Sequence, residues 1–242
     1  MKAFILAAGL GSRLGALTSA KPKALVKVNG ESMIENLILH LKKKGIQQFL
    51  VNVHHFSDKI IQHLKEKNNF GVNITFSDES QELLDTGGAI LKASDFFKGN
   101  ETILVHNVDV ASGINLKELE SYHEQKSALA TLCVRKRNSG RALLFNEKMQ
   151  LGGWANLAQD KYKWVQHPLP HFSSFAYSGI FLAQPQFAEK LPFEGRFSII
   201  DAWLKMASTE RIIGFEDRSS YWFDLGTEEK IAAAESYFLR NA

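Results

Sequence analysis

Over its first 110 residues the chain alternates short apolar runs with amphipathic stretches, and this alternation restricts the fold more than any other feature of its 242 residues. The seven-residue start MKAFILA, FLVNV (49–53), VNITFS (72–77) and TILVHNVD (102–109) read as buried strands. Residues 30–45 read as a helix marked at both ends. Ser32 and Glu35 have capping-box spacing, Ile34, Leu37, Ile38 and Leu41 fall on one face, and Lys42 to Lys44 precede Gly45. A second helix is predicted over 57–68 through Ile60, Ile61 and Leu64, and a third over about 87–97. Strands alternating with helices predict α/β units and a doubly wound, mostly parallel sheet. The second part of the chain is less regular. It reads as a helix near 116–125, strands at 128–135, 141–146 and 175–183, a helix at 197–207, the short strand RIIGFE, and a last helix from Thr227. No Pro/Ser/Gly linker and no 20–50-residue repeat divides it, so residues 1–242 are expected to form one domain with halves at 1–110 and 111–242.

In such sheets ligands sit beyond the carboxyl ends of the strands, and two chemical signals fall there. The first is FILAAGLGSRLGALTSAKPKAL (4–25), a strand running straight into a glycine-rich turn. Ala7, Ala8, Gly9 and Gly11 leave backbone N–H groups open to an anion, while Arg13 and Lys23 supply positive charge. Leu6, Ala7, Ala8, Gly9, Gly11, Ser12, Arg13 and Lys23 are thus the candidate polyphosphate contacts. Two commoner phosphate loops are excluded: the dinucleotide fingerprint needs a third glycine where Leu14 stands, and Gly-Lys-Ser/Thr occurs nowhere. The second signal is Asp109, at the end of the apolar run through Val105.

The pattern LAAGxGxRL…LT…PKAL, matched at Leu6 to Gly9, Gly11, Arg13, Leu14, Leu17, Thr18 and Pro22 to Leu25, resembles the opening signature of sugar-1-phosphate nucleotidylyltransferases, also called nucleotide-sugar pyrophosphorylases. Ala16 replaces the proline many members have. The resemblance implies a Rossmann-like, GT-A-type fold with a nucleotide half and a smaller mixed sugar-binding half. It implies Mg²⁺ held by Asp109 in HNVDV, where Val108 replaces the usual glycine, and by Asp224 in YWFDLGT, which also meets substrate. Arg13 would clamp the leaving phosphates, and Lys23 would reach the α-phosphate or the sugar phosphate. ESQELLDTGGAI (79–90) is similar to the segment facing the base: Thr86, Gly87 and Gly88 would offer backbone at a helix N-terminus, and Glu79 or Gln81 a base-edge contact. Asp85 before Thr-Gly-Gly resembles the N-acetylmuramate-1-phosphate uridylyltransferase branch, which implies UTP and a role in cell-wall peptidoglycan recycling. For the sugar, Asn107, Gly140 in NSGRALLF, and Tyr177 or Ser178 in AYSGIFL are the matching positions. Guanylyl transfer to mannose or heptose 1-phosphate and cytidylyl transfer to phosphocholine remain open at this point. A non-catalytic nucleotide-sugar sensor should have lost Arg13, Lys23 or one of the two aspartates, and all four are present.

Composition narrows the partners. The chain is 45% apolar and 23% charged with a net charge of only +3, which gives no electrostatic case for nucleic acid; small-molecule substrates are what the resemblance implies. The basic run Arg135-Lys136-Arg137 with Arg141 reads as a solvated hairpin end. One cysteine, Cys133, lies in the apolar stretch ALATLCV and suits a reducing cytoplasm. No stretch approaches the ~20 apolar residues that span a bilayer, and MKAFILAAGLG reads as strand and loop rather than a signal peptide. The expectation is a soluble, cytoplasmic monomer or small homo-oligomer. The eight histidines form no HExxH or Cys/His set, and prolines 168 and 170 keep His167 and His171 off one helix face. His106 reads as strand-end packing or a substrate contact, and the four tryptophans as core or sugar-pocket walls.

Overall fold

The computed structural model describes residues 1–241. The chain divides into two compact units: residues 1–83, 106–113 and 220 onward form the first, and 84–105 with 114–219 the second.

In the first unit the strand Gln48–Val53 lies between Lys2–Leu6 and Asn73–Asp78, parallel to both. Phe4, Ile5, Phe49, Val51 and Val53 are essentially removed from solvent, which is why these strands read as continuous apolar runs rather than alternating ones. The register sets Leu6 opposite Asn52, and Asn52 opposite Ser77. The helix Met33–Lys43 forms where its periodicity predicts and buries Ile34, Leu37, Ile38 and Leu41, each contributing about 1.5–3 kcal/mol. Ser32 Oγ accepts the Glu35 N–H at 3.3 Å. The reciprocal half of the capping box is not made: the Glu35 carboxylate faces His63 Nε2 at 3.5 Å and Lys67 Nζ at 3.7 Å. Gly45, at φ +94°, ends the helix, its N–H donating to Lys42 O and that of Ile46 to Leu41 O. A second helix, Ser57–Glu66, buries Ile60 and Leu64.

Two short strands of this unit are not anticipated by the sequence. Val110–Ser112 pairs antiparallel with Trp222–Asp224, with Asp224 opposite Val110. Three residues are too few for an alternating pattern to register. The rings of Tyr221, Phe223, Tyr237 and Phe238 pack on one another and hold the second of these strands to the closing helix Glu228–Arg240. That helix is N-capped by Thr227, as its sequence position suggests.

The second unit is a mixed sheet. Ala130–Arg135 runs antiparallel to Ser173–Ala183 and parallel to Ile212–Glu216. Ser173–Ala183 also pairs with Arg141–Phe145, and the sheet continues antiparallel through Leu151–Asn156 to Lys161–Trp164. The last two strands are additions to the sequence reading. LGGWAN carries two glycines of low strand propensity, but a Cβ on Gly153 would stand 2.9 Å from Lys163 O, so close strand approach selects glycine there. Leu116–Gln125 and Ile199–Met206 are helices near their predicted bounds, with Trp203 of the latter fully buried against Tyr177 and Phe181. The predicted third helix is two, Asp85–Lys92 and Ser94–Phe97. The first begins earlier than expected, at Asp85, which itself takes φ +59°, a left-handed conformation that aspartate tolerates. The strand Ile103–Asn107 leads from this unit into the first. The fold is thus α/β and Rossmann-like, with the parallel sheet the alternation predicts. No helix among the described residues is long and apolar enough to cross a membrane.

Candidate functional site

The glycine loop leaves the sheet at Leu6. Ala7 and Ala8 are buried, whereas Gly9 and Leu10 are exposed. Gly11 sits at φ +68°, and a Cβ there would stand 2.9 Å from Lys23 Cβ, so the turn lies directly on the lysine stem. Thr18 Oγ1 and Leu14 N both donate to Gly11 O, closing the turn. A Cβ on Gly9 would meet nothing within 4 Å, which leaves open space above that part of the loop. The short helical turn Ser12–Thr18 carries Ser12 and Arg13 to the surface and sends Leu14 into the core at 1% exposure. Leu14, at the position a dinucleotide loop gives to glycine, is therefore an anchor.

Charges of both signs gather beside this loop. Val108 N donates to Leu6 O at 3.1 Å, setting Asp109 next to the loop entrance. Lys23, only 8% exposed, donates from Nζ to Asp109 Oδ2. Leu225 N donates to Asp109 O at 2.7 Å, so Asp109 and Asp224 spring from neighbouring rungs of one antiparallel ladder. Asp224 Oδ2 accepts from Lys230 Nζ at 2.6 Å and lies 3.9 Å from Arg13 Nη1, while Oδ1 accepts the Gly226 N–H at 3.0 Å. Burial works against ionisation of Asp224. The Lys230 hydrogen bond and charge, then Arg13 and Lys23, outweigh it and hold the carboxyl below its ordinary value. Lys23 therefore acts on both carboxylates.

The donor chemistry fits a hard divalent cation. Two carboxylates from paired strands offer oxygen ligands and leave further positions for water and substrate phosphate, as Mg²⁺ sites do. Among the described residues no set of three His, Cys, Asp or Glu side chains is grouped to hold a metal without such help.

Two residues shape the loop in a way the sequence reading missed. Asn52, 3% exposed, accepts the N–H groups of both Ala7 (2.6 Å) and Ala8 (3.2 Å) on its Oδ1. Its Nδ2 donates to Glu79 Oε1 at 2.7 Å. Glu79, for which the sequence offered a base-edge contact, is 1% exposed, and its backbone is tied to Val53 O and to His54 Nδ1. A polar residue inside FLVNV was the available signal, but its partners depend on strand register.

The remaining candidates are distributed as follows. In the second unit the N–H groups of Gly87 and Gly88 donate to Phe197 O at 2.9 and 3.3 Å, and Thr86 Oγ1 accepts the Ile199 N–H at 3.0 Å. Gly140 accepts the Leu157 N–H at a hairpin end. Tyr177 lies edge-on to Trp203, and burial, with Cys133 adding to it, pushes its phenol well above the ordinary value. Ser178 and Cys133 are fully buried. In the first unit Asn107 is half-buried, and its carbonyl accepts from His106 Nδ1 at 2.8 Å. Burial holds His106 neutral, its pKa lowered to about 4. It faces a cavity of about 320 Å³ shared with His40, Val108, Val110, Tyr221 and Leu225. The chain neighbours of Asp109 and Asp224 thus line this cavity while the carboxylates meet Lys23 and Lys230.

N-acetylmuramate alpha-1-phosphate uridylyltransferase of Caulobacter vibrioides is 28% identical over 243 residues, covering 97% of this chain and 95% of the relative. Mannose-1-phosphate guanyltransferase of Yarrowia lipolytica is 26% identical over 99% of this chain, which spans 64% of that longer protein. The crystal structure of HddC from Yersinia pseudotuberculosis complexed with GMP-PN superposes with a TM-score of 0.77 at 21% identity, over 98% of this chain and 99% of the other. That of UDP-glucose pyrophosphorylase complexed with UDP-glucose gives 0.78 at 18% identity, over 100% and 99%. At those identities the two structures speak for the fold. The model of the nucleotidyl transferase family matches residues 2–143. With the glycine loop, Arg13, Lys23 and Asp109 all inside the matched segment, this chain belongs to the nucleotidyl transferase family and is a nucleotidyltransferase.

Proposed function

We propose that the chain transfers a nucleotidyl group from UTP to N-acetylmuramate 1-phosphate, giving the UDP-sugar and pyrophosphate. The observation that carries this reading is the gathering of Arg13, Lys23, Asp109 and Asp224 around an open glycine loop. The reaction brings two anions together. A phosphate oxygen of the sugar 1-phosphate attacks the α-phosphorus in line, and the bond from that phosphorus to the leaving pyrophosphate breaks. The side chains are therefore asked for charge and position rather than covalent chemistry. In this reading the planar Arg13 fork grips the leaving phosphates, and Lys23, a compact charge, meets the α-phosphate or the sugar phosphate. Asp109 and Asp224 hold Mg²⁺, which supplies charge neutralisation along the polyphosphate when bound. Gly9, Gly11 and Ser12 offer backbone to the phosphates, since the Ala7 and Ala8 amides are engaged by Asn52. Base contacts fall to Gln81 and Thr86; the Gly87 N–H is engaged by Phe197 O, and Glu79 is buried on Asn52. Asn107, Gly140 and Tyr177 are assigned to the sugar phosphate, whereas Ser178 is fully buried.

Uridylyl transfer is preferred because the 28% identical uridylyltransferase aligns along nearly its whole length. Guanylyl transfer to mannose 1-phosphate is the second reading, supported by the 26% identical guanyltransferase. Residues 1–242 are taken as one catalytic domain, monomeric or a small homo-oligomer, working in the cytoplasm on small molecules in cell-wall recycling. Pyrophosphate release across four NTPs and a panel of sugar 1-phosphates and phosphocholine, with Mg²⁺, tests this. The expected result is a kcat/KM at least tenfold higher for UTP with N-acetylmuramate 1-phosphate than for any other pair. Release with GTP and mannose 1-phosphate alone selects the second reading, and NTP binding without release from any pair makes the protein a sensor.

A further inference from the structure

We infer that Asn52 is a positioning residue for the phosphate loop, and that Glu79 is the buried group that keeps its amide turned the right way. One oxygen, Asn52 Oδ1, accepts two successive backbone N–H groups, those of Ala7 and Ala8. Convergence of neighbouring amides on one acceptor is the geometry of an anion-binding nest, so the side chain holds the loop entrance in a concave form before any ligand arrives. Both amides belong to buried residues, and an apolar side chain at 52 would leave them without an acceptor.

The orientation of the amide is set by chemistry. A carboxylate only accepts, so the Asn52 edge facing Glu79 Oε1 at 2.7 Å must be Nδ2, and the edge facing Ala7 and Ala8 must be Oδ1. Glu79 is itself 1% exposed, and its main chain is pinned by Val53 O and His54 Nδ1. The strand register places Asn52 level with Leu6, the last residue before the loop. Strand propensity gives no reason for asparagine there, between Val51 and Val53, both removed from solvent. The kinetic consequence drawn below rests on the nucleotidyl-transfer reading.

The test reverses the polarity of one hydrogen bond. Asn52→Asp keeps an acceptor oxygen for Ala7 and Ala8 but replaces the donor facing Glu79 by a carboxylate oxygen. Asn52→Asp combined with Glu79→Gln restores a donor facing an acceptor and leaves the net charge unchanged. Full-length proteins at pH 8 are compared for steady-state kinetics with UTP and sugar 1-phosphate, for hydrogen exchange in peptides covering residues 4–14, and for Tm. For Asn52→Asp the expected results are a fall of at least 30-fold in kcat/KM for UTP, exchange at 4–14 at least tenfold faster, and a sugar-phosphate KM within twofold of wild type. The double variant should return both losses to within threefold. A single variant within twofold of wild type in kcat/KM and exchange, a loss seen only in Tm, or a double variant no better than the single would each overturn the inference. If Asn52→Asp does not fold, Glu79→Gln replaces it, because it frees the amide to turn over: exchange at least fivefold faster supports the inference, and wild-type exchange overturns it. A wild-type protein that turns over no substrate pair refutes the proposed reaction, and the exchange measurement alone then decides the role of Asn52.

Discussion

Gly226→Ala asks whether Arg13 and Asp224 must hold their places for turnover. A Cβ at 226 would stand 2.7 Å from Arg13 Nη2 and 2.7 Å from Asp224 Oδ1. Ordinary contact begins at 3.4 Å, so each group must retreat by about 0.7 Å, close to the ~1 Å misplacement that costs about 10²-fold in rate. That corresponds to about 2.7 kcal/mol of lost transition-state stabilisation. Stability should change little. The Arg13 side chain is 62% exposed and can swing into solvent, and Gly226 does not occupy the left-handed region. The hydrogen bond from Gly226 N to Asp224 is the main interaction at risk, about 0.5–1.5 kcal/mol, or roughly 1–6 °C in Tm for a chain of this size. Pyrophosphate release gives the rate and scanning calorimetry the Tm. Because the affected contacts matter most in the transition state, kcat and kcat/KM should fall together. A variant within threefold of the wild-type kcat would refute the tight placement of these two groups. A Tm lowered by more than about 10 °C would show that packing, rather than charge geometry, requires the glycine.

Lys23→Met leaves the Asp109 carboxylate, 17% exposed, without its cation. Loss of one member of a buried pair costs about 3–5 kcal/mol, and the remaining solvent access of Asp109 brings the expectation to roughly 2–3, measured by urea unfolding; unchanged stability would show the pair to be weak. Asp109→Asn should abolish detectable turnover while leaving the far-UV spectrum and oligomeric state unchanged, and wild-type rates would remove Asp109 from the mechanism. Gly87→Ala places a Cβ 2.3 Å from two ring atoms of Phe197 and 2.9 Å from its carbonyl oxygen, so a loss of about 1–3 kcal/mol is expected by calorimetry, and an unchanged Tm would mean that this contact relaxes freely. His123, buried between Thr131 Oγ1 and Gln184, has its pKa lowered from 6.5 to about 4 by burial. The unfolded chain takes up a proton that the folded one refuses, so this group costs nothing above pH 6.5 and about 3 kcal/mol by pH 4. His106 adds a similar loss in the same window. His123→Gln should therefore flatten the fall in stability between pH 6.5 and 4 by about half, and an unaltered slope would refute the assignment.

Much of this was legible in the residues because it is local. The helix Met33–Lys43 announces itself by its apolar period, its serine cap and Gly45. Arg13, Lys23, Asp109 and Asp224 can be picked out as letters of long motifs. Other features could not be seen. The strands Val110–Ser112 and Trp222–Asp224 are three residues each and exist only as a pair. The amides of Ala7 and Ala8 look open in sequence but are held by Asn52, and Glu79 looks like an exposed polar residue but is buried behind it. Gly87 looks like a ligand-binding backbone position, yet its N–H meets Phe197 O and its missing side chain makes room for that ring.

The amino-acid order by itself settled the α/β class and singled out the glycine turn and the four charged groups, since period, turn chemistry and side-chain type act over a few neighbouring residues. Tertiary structure decided which charge neutralises which, how Asp109 and Asp224 come to adjacent rungs, and what holds the loop entrance. Those outcomes depend on register between segments far apart in the chain, where a shift of one residue would exchange the faces of every side chain and separate partners that the sequence alone cannot pair.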